Sequence, residues 1–208
     1  MESSVTPAGR PRLSSRQMLE DAATELFLEN GYAGTTVDQI AARAGVSRNT
    51  FFNYFASKSE LLWLEVDEAL DALAAQLAEG PPPAPSPAIA SSPATASLRS
   101  VLLDAASRFG SERIPLTFTQ DEAMGAREEV VASGMQRVAR LSAILSAALV
   151  SSAAPSAPAP GGGLRAHATA NAMTGLVATA WVAWARAGVG RGPLRDYIAE
   201  VLQTLPEL

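Results

Sequence analysis

Apolar residues recur at spacings of three and four through most of this chain, and no segment sustains the period-two alternation of a half-buried strand. The pattern predicts an all-α fold. A first helix is expected over 15–30, with Ala22, Ala23, Leu26 and Phe27 turned inward and Gly31 as its stop. A short second helix is expected from the Thr35-Thr36 pair to Gly45, capped either by Thr36 with Gln39 or by Thr35 with Asp38. Ser47 is expected to cap a third helix ending near Tyr54. Ser57 with Glu60 then forms the capping box of a long fourth, striped by Leu62, Val66, Ala69, Leu70, Leu73 and Leu77.

Two runs rich in Pro, Ser, Ala and Gly, 80–97 and 151–163, interrupt this pattern and are expected to be exposed, mobile loops. Between them Leu98, Leu102, Ala105 and Phe109 mark one helix. A longer one is expected to open at Thr119 with Glu122 and to run through Val131, Met135, Val138, Leu141, Leu145 and Leu149, with Gly125 and Gly134 as candidate kinks. The stretch 165–187 is apolar nearly all round and needs partners on more than one side. The last helix starts with Pro193 at its first position and carries the cleanest stripe, Leu194, Tyr197, Ile198, Val201, Leu202 and Leu205. The division that follows is a flexible basic arm over 1–13, a three-helix head over 14–60 and a helical body over 61–208.

Composition narrows the chemistry. The 208 residues are 48% hydrophobic and 18% charged, with much of the excess in Ala, which suits close-packed helices. There is no Cys and one His, His167, so disulfides, thiol nucleophiles, Cys-based zinc sites and histidine clusters are excluded. No metal and no cofactor is expected. The formal charge of -5 argues against indiscriminate coating of nucleic acid but leaves room for a small local reading surface. The longest apolar run, 172–185, falls short of the roughly 20 residues that a bilayer crossing needs, and no secretory leader is visible, so a cytoplasmic protein without a membrane partner is expected. The acidic pairs Asp121-Glu122 and Glu128-Glu129 are sequence neighbours that do not face each other on a helix. The glycine runs at 161–163 and 188–190 lack a preceding strand and a phosphate-gripping Lys. No clustered nucleophile and base remain, so an enzyme is not expected.

Three short helices with a tight Gly turn between the second and third make a helix-turn-helix, whose last helix enters the DNA major groove. On that helix Phe51 and Phe55 can pack on Phe27, Ile40, Ala41, Ala44 and Val46, which turns Arg48, Asn49, Phe52 and Asn53 outward. Arg can bond guanine edges, Asn adenine edges, and an exposed ring can meet a thymine methyl. Thr36, Thr50, Tyr54 and Lys58 sit at or beside helix starts, where they can grip phosphates. Arg10, Arg12 and Arg16 are read equally well as a minor-groove arm or as a solvated tail.

The run LFLENGYAGTTVDQIAARAGVSRNTFFNYFASKSELL resembles the N-terminal signature of the TetR family of bacterial transcriptional regulators. The elements that carry the resemblance are Leu26-Phe27, Gly31-Tyr32, Thr35-Thr36-Val37, Ile40-Ala41, Ala44-Gly45-Val46-Ser47, Thr50-Phe51, Tyr54-Phe55, Lys58 and Leu61. Phe52 departs from it, standing where the family usually has a Tyr whose hydroxyl contacts the DNA backbone. The resemblance implies a homodimeric repressor that binds a palindromic double-stranded operator and is released by a small, apolar effector held in the helical body. It also implies dimerisation through the last two long helices, for which the apolar pattern offers Trp181, Trp184, Leu194, Tyr197, Ile198, Val201, Leu202 and Leu205. The candidate effector contacts are Phe109, Thr117, Phe118, Met124, Met135, Asn171 and Met173, the large, adaptable or polar side chains of the middle helices. A binding protein for small molecules whose helix-turn-helix no longer reads DNA is the competing reading.

Overall fold

The computed structural model of the chain describes residues 15–79, 93–109, 116–152, 162–188 and 190–204, with the side chains of all these except 116, 117 and 162. Every regular element among them is helical: α1 Ser15–Gly34, α2 Val37–Arg43, α3 Arg48–Tyr54, a 3-10 turn Lys58–Leu62, α4 Leu64–Ala78, α5 Pro93–Ser107, α6 Leu116–Thr119, α7 Arg127–Ser152, α8 Gly162–Arg186 and α9 Leu194–Leu202. The chain divides into two compact units. One holds the residues up to Leu61 together with Ala123–Ala126, and the other holds Leu62–Glu122 and the residues from Arg127 onward.

The first unit is built from local signals. Gly31 takes φ 75°, a left-handed value open to Gly at little cost, and breaks α1 there. Thr35, only 1% exposed, donates its hydroxyl to the carbonyls of Leu26 (3.0 Å) and Gly31 (2.8 Å), so it closes the end of α1. Thr36 is the residue that caps α2. Its Oγ1 accepts from Gln39 N at 3.2 Å, and its own N–H donates to Gln39 Oε1 at 2.7 Å. Ser47 caps α3 through Thr50 N at 3.0 Å. Phe51 and Phe55, 0% and 3% exposed, close the core with Leu19, Leu26, Phe27, Ile40 and Ala41. Each such ring stabilises the unit by about 1.5–3 kcal/mol through burial.

Several elements differ from the expectation. Ser57 and Glu60 do not open α4: Glu60 reaches back to Ala56 N at 2.9 Å, the segment stays 3-10, and α4 begins at Leu64. The helix α5 begins at Pro93, inside the run taken for a loop, with Pro at a start where its missing N–H costs nothing. Likewise α7 reaches Ser152 and α8 begins at Gly162. Thr119 ends α6 rather than opening a long helix, and α7 starts at Arg127 after a turn. Gly134 is no kink. A Cβ there would lie 3.1 Å from the Trp63 ring, so the missing side chain makes room for that ring to pack against α7.

The second unit packs α4, α5, α7, α8 and α9 around one core containing Leu70, Leu73, Val101, Leu102, Leu145, Met173 and Trp184. Here α9 lies against α5 and α8, and Arg99 of α5 donates to the Leu202 carbonyl at its end. Among the described residues no helix is long and apolar enough to cross a membrane.

Candidate nucleic-acid interface and effector cavity

The face of α3 opposite Phe51 and Phe55 is open. Arg48, Asn49, Phe52, Asn53 and Tyr54 are exposed and Thr50 is half-buried. This follows from helical geometry once the two buried rings fix the orientation of the helix. Phe52 and Tyr54 expose 45% and 48% of their surface, unusually much for rings in so small a unit. Arg48 is engaged within the unit: its Nη1 donates to both carboxylate oxygens of Asp38 on α2, at 3.0 and 2.8 Å, and its guanidinium lies 5.5 Å from the Phe52 ring centre. Such an exposed pair costs little to exchange for a base or phosphate, about 1 kcal/mol or less.

Thr36 and Lys58 have inward tasks as well. The Thr36 hydroxyl is committed to the capping box. The Lys58 ammonium donates to the carbonyls of Tyr32 (2.6 Å) and Thr35 (2.7 Å) and lies 3.9 Å from the Tyr32 ring centre. It thereby closes the carbonyl end of α1, a position quite unlike the expected outward phosphate grip. Arg43 joins α2 to α1 by pairing with Glu25 (3.0 Å) and Glu29 (2.8 Å), and its hydrogen bond holds the Glu29 carboxyl below the usual carboxylate value of 4.5.

The second unit contains a cavity of about 720 Å³, within the size range of small-molecule sites. Its walls come from α4, α5, α6, α7, α8 and α9 and are mostly apolar. Phe109, Phe118 and Met135 of the expected contacts do line it. Met173 instead lies wholly in the core, 0% exposed, and is not part of the wall. Met124 belongs to the other unit, where it is buried and its carbonyl accepts from Tyr32 N. Asn171 is exposed one turn before the first α8 wall residue, Thr174, and meets Ser142 of α7. The Thr117 side chain lies outside the described residues.

Sequence reasoning missed Trp63 and the arginines of the wall, Arg127, Arg137, Arg186 and Arg191. Trp63 carried a readable signal, a bulky ring at the head of an apolar stripe. Nothing in the local sequence distinguishes Arg191 from a solvated arginine. Trp181, expected in a dimer interface, is a cavity wall in ring contact with Phe109 (4.7 Å), Phe118 (5.8 Å) and Trp184 (5.7 Å).

The remaining residues expected at the dimer interface are also spent inside the unit. Trp184, Leu194, Ile198 and Leu202 are between 0% and 3% exposed, and Tyr197 and Val201 pack on the same core. Leu205 lies outside the described residues. The stripe of α9 is real, but its partners are α5 and α8 of the same chain. Among the described residues no group of three or more His, Cys, Asp or Glu could hold a metal.

The first unit is thus a capped helix-turn-helix with an open third helix, and the second is an all-helical unit with a mostly apolar cavity. Residues 19–63 match the family model for bacterial regulatory proteins of the tetR family. The match lies in the head alone, where the chain is similar to that family. It is 43% identical over 56 residues to the HTH-type transcriptional regulator HbdR of Aromatoleum sp. (27% of this chain, 24% of that one). Over 63 residues it is 40% identical to the HTH-type transcriptional activator FasR of Mycolicibacterium smegmatis (30% and 29%). Over 47 residues it is 45% identical to the HTH-type transcriptional repressor DhaR of Mycobacterium sp. (23% and 24%). The chain thus matches less than a third of the length of these relatives, all of them regulators rather than enzymes.

The fold extends further than the sequence match. The TetR family repressor FadR of Thermus thermophilus, solved in complex with lauroyl-CoA, is similar over 90% of this chain and 91% of its own, at 19% identity and a TM-score of 0.51. NalD of Pseudomonas aeruginosa, the secondary repressor of the MexAB-OprM multidrug efflux pump, is similar over 91% and 94%, at 19% identity and a TM-score of 0.50. Both share the all-helical fold.

Proposed function

We propose that this chain is a cytoplasmic, sequence-specific DNA-binding transcriptional regulator. In this reading two copies bind a palindromic operator, act as a repressor, and release it when a small, mostly apolar effector occupies the cavity of the helical unit. The observation that carries the DNA-binding part is the division of α3: Phe51 and Phe55 are buried while Arg48, Asn49, Phe52, Asn53 and Tyr54 stand exposed on one short, capped helix. That set offers donors, acceptors and an apolar ring to base edges. Lys58 and Thr36 serve the same surface indirectly, by fixing the helices that carry it.

A second copy is needed because seven residues of helix read only a few base pairs, and two-fold pairing doubles the site. The exposed faces of α7 and α8 support the pairing. Ala139 and Ala143 on α7 and Ala168, Ala172 and Gly175 on α8 are exposed and small, and the two faces border each other at the Ser142–Asn171 hydrogen bond. Helices so lined can approach a second pair closely. Repression rather than activation is the finer part of the reading, since the head resembles both an activator and a repressor.

The test is binding of the full chain to labelled duplexes tiled across its own upstream region. Expected is one protected two-fold symmetric segment, bound by two copies at least a hundredfold more tightly than scrambled duplex. Equal affinity for all duplexes would leave a ligand-binding protein whose helix-turn-helix no longer reads sequence.

A further inference from the structure

The polar groups of the cavity wall are not equivalent. Arg137 is spent: its Nε and Nη2 fork the Asp67 carboxylate at 3.1 and 2.6 Å, and its Nη1 donates to the Ser133 carbonyl. Arg127 pairs with Asp121 and Glu122, which also neutralises the wall's one acidic residue. Thr174 turns its hydroxyl back to the Ala170 carbonyl. Arg191 differs. Its Nε donates to the Gly188 carbonyl (2.8 Å) and its Nη1 to those of Ala185 (3.0 Å) and Trp184 (3.4 Å), and it lies 5.9 Å from the Trp184 ring centre. The guanidinium is therefore fixed by neutral carbonyls. Among the described residues it meets no carboxylate, and its Nη2 makes no hydrogen bond.

The three tryptophans make a second contrast. Trp63 Nε1 donates to Ser133 Oγ at 2.7 Å and Trp184 Nε1 to the Gly192 carbonyl at 3.0 Å. Trp181 Nε1 is buried and has no partner among the described residues. Leaving such a donor unmatched is unfavourable, and because Trp181 is a wall residue a guest in the cavity is the available source of an acceptor. Trp181 and Arg191 both lie against Trp184, at 5.7 and 5.9 Å from its ring centre, so these two wall residues share one neighbour.

From these two contrasts we infer that the effector is an amphipathic organic acid. Its carboxylate takes Arg191 Nη2, an oxygen near that end accepts from Trp181 Nε1, and its apolar body lies among Trp63, Phe109, Phe118 and Trp181. A pre-fixed guanidinium loses little freedom when it binds a carboxylate, and its charge has no competing anion to give up. The inference rests on the reading of the cavity as an effector site and adds the chemical class that the site selects.

The experiment titrates the full chain calorimetrically, at pH 7.5, with decanoate and 2-naphthylacetate and with the uncharged amide of each. Nile red, a neutral apolar dye, reports separately on whether the cavity takes guests. Expected is binding of at least one acid about tenfold or more tighter than its amide, the discrimination a hydrogen bond to a charged partner supports. Arg191→Gln should abolish that preference and Arg191→Lys retain most of it. Trp181→Phe, which keeps a ring and removes the N–H, should weaken acid binding several-fold with unchanged melting. Dye entry without acid preference in the wild-type chain overturns the inference and leaves the cavity reading standing. Exclusion of dye, acids and amides alike removes both. An acid preference that survives Arg191→Gln in a folded variant assigns the anion to another group and overturns the role given to Arg191.

Discussion

Arg48 holds a carboxylate within the head, that of Asp38, and the pair lies on the surface proposed to read DNA. Binding must exchange Asp38 for a base or phosphate, so Asp38 sets how readily Arg48 is released. Asp38→Ala should raise affinity for operator and unrelated duplex alike, by about twofold to fivefold, because it removes a competing ion pair and a negative charge from the surface. Arg48→Ala should instead cost about 1–3 kcal/mol on operator and relax preference at one base position. Competition titrations on operator variants separate the two, and identical effects of both substitutions would make Arg48 a plain phosphate contact. Lys58 belongs to the scaffold: with its ammonium on two carbonyls, Lys58→Met should lower unfolding free energy by about 1–3 kcal/mol while leaving the salt slope of DNA binding unchanged. A slope that drops by one unit without loss of stability would return Lys58 to the phosphates.

Among elements, the joint between α4 and α7 and the joint between α1 and α2 carry opposite kinds of interaction. The first is steric. Trp63 is 5% exposed, its N–H is held by Ser133 and Arg137 lies over its ring at 5.4 Å, so the ring has no room to retreat from a Cβ at Gly134. Gly134→Ala should therefore destabilise the helical unit by about 1–3 kcal/mol through overpacking, although Ala by itself favours a helix by about 1 kcal/mol. Urea unfolding checks the sign, and a stabilised variant would show that the ring can shift. The second joint is electrostatic. Glu29's carboxyl sits below its unfolded value of 4.5, so its pairing with Arg43 contributes fully above that pH and is lost as pH falls through the lowered folded value. Melting of the chain should decline between about pH 5 and 3, and Arg43→Gln should flatten part of that decline.

At the scale of the whole molecule, the proposed pairing of two copies needs a surface that the core leaves free. The core claims α9 and the inner side of α8, which leaves the small-residue faces of α7 and α8. Ala172→Glu places a charge on that exposed face without touching the core. Sedimentation should then shift from dimer to monomer, and operator affinity should fall about tenfold or more as two linked heads become independent. A dimer that sediments unchanged would place the interface elsewhere.

The head was readable residue by residue because its determinants are local: caps act over three residues, the Phe51–Phe55 pair over four, and Gly31 through its own φ. The helix-turn-helix and the outward set of α3 follow from those short-range rules alone. Lys58 did not, since its carbonyl partners lie 23 and 26 residues upstream and no local pattern separates an inward ammonium from an outward one. The helical body shows the same limit on a larger scale. Periodicity identified the apolar stripe of α9, but a stripe states only that something must cover it, and only the tertiary structure shows that α5 and α8 of the same chain pack against it. The cavity likewise gathers walls from six helices, so its lining, the fixed guanidinium of Arg191 and the unmatched N–H of Trp181 exist only once those helices have met.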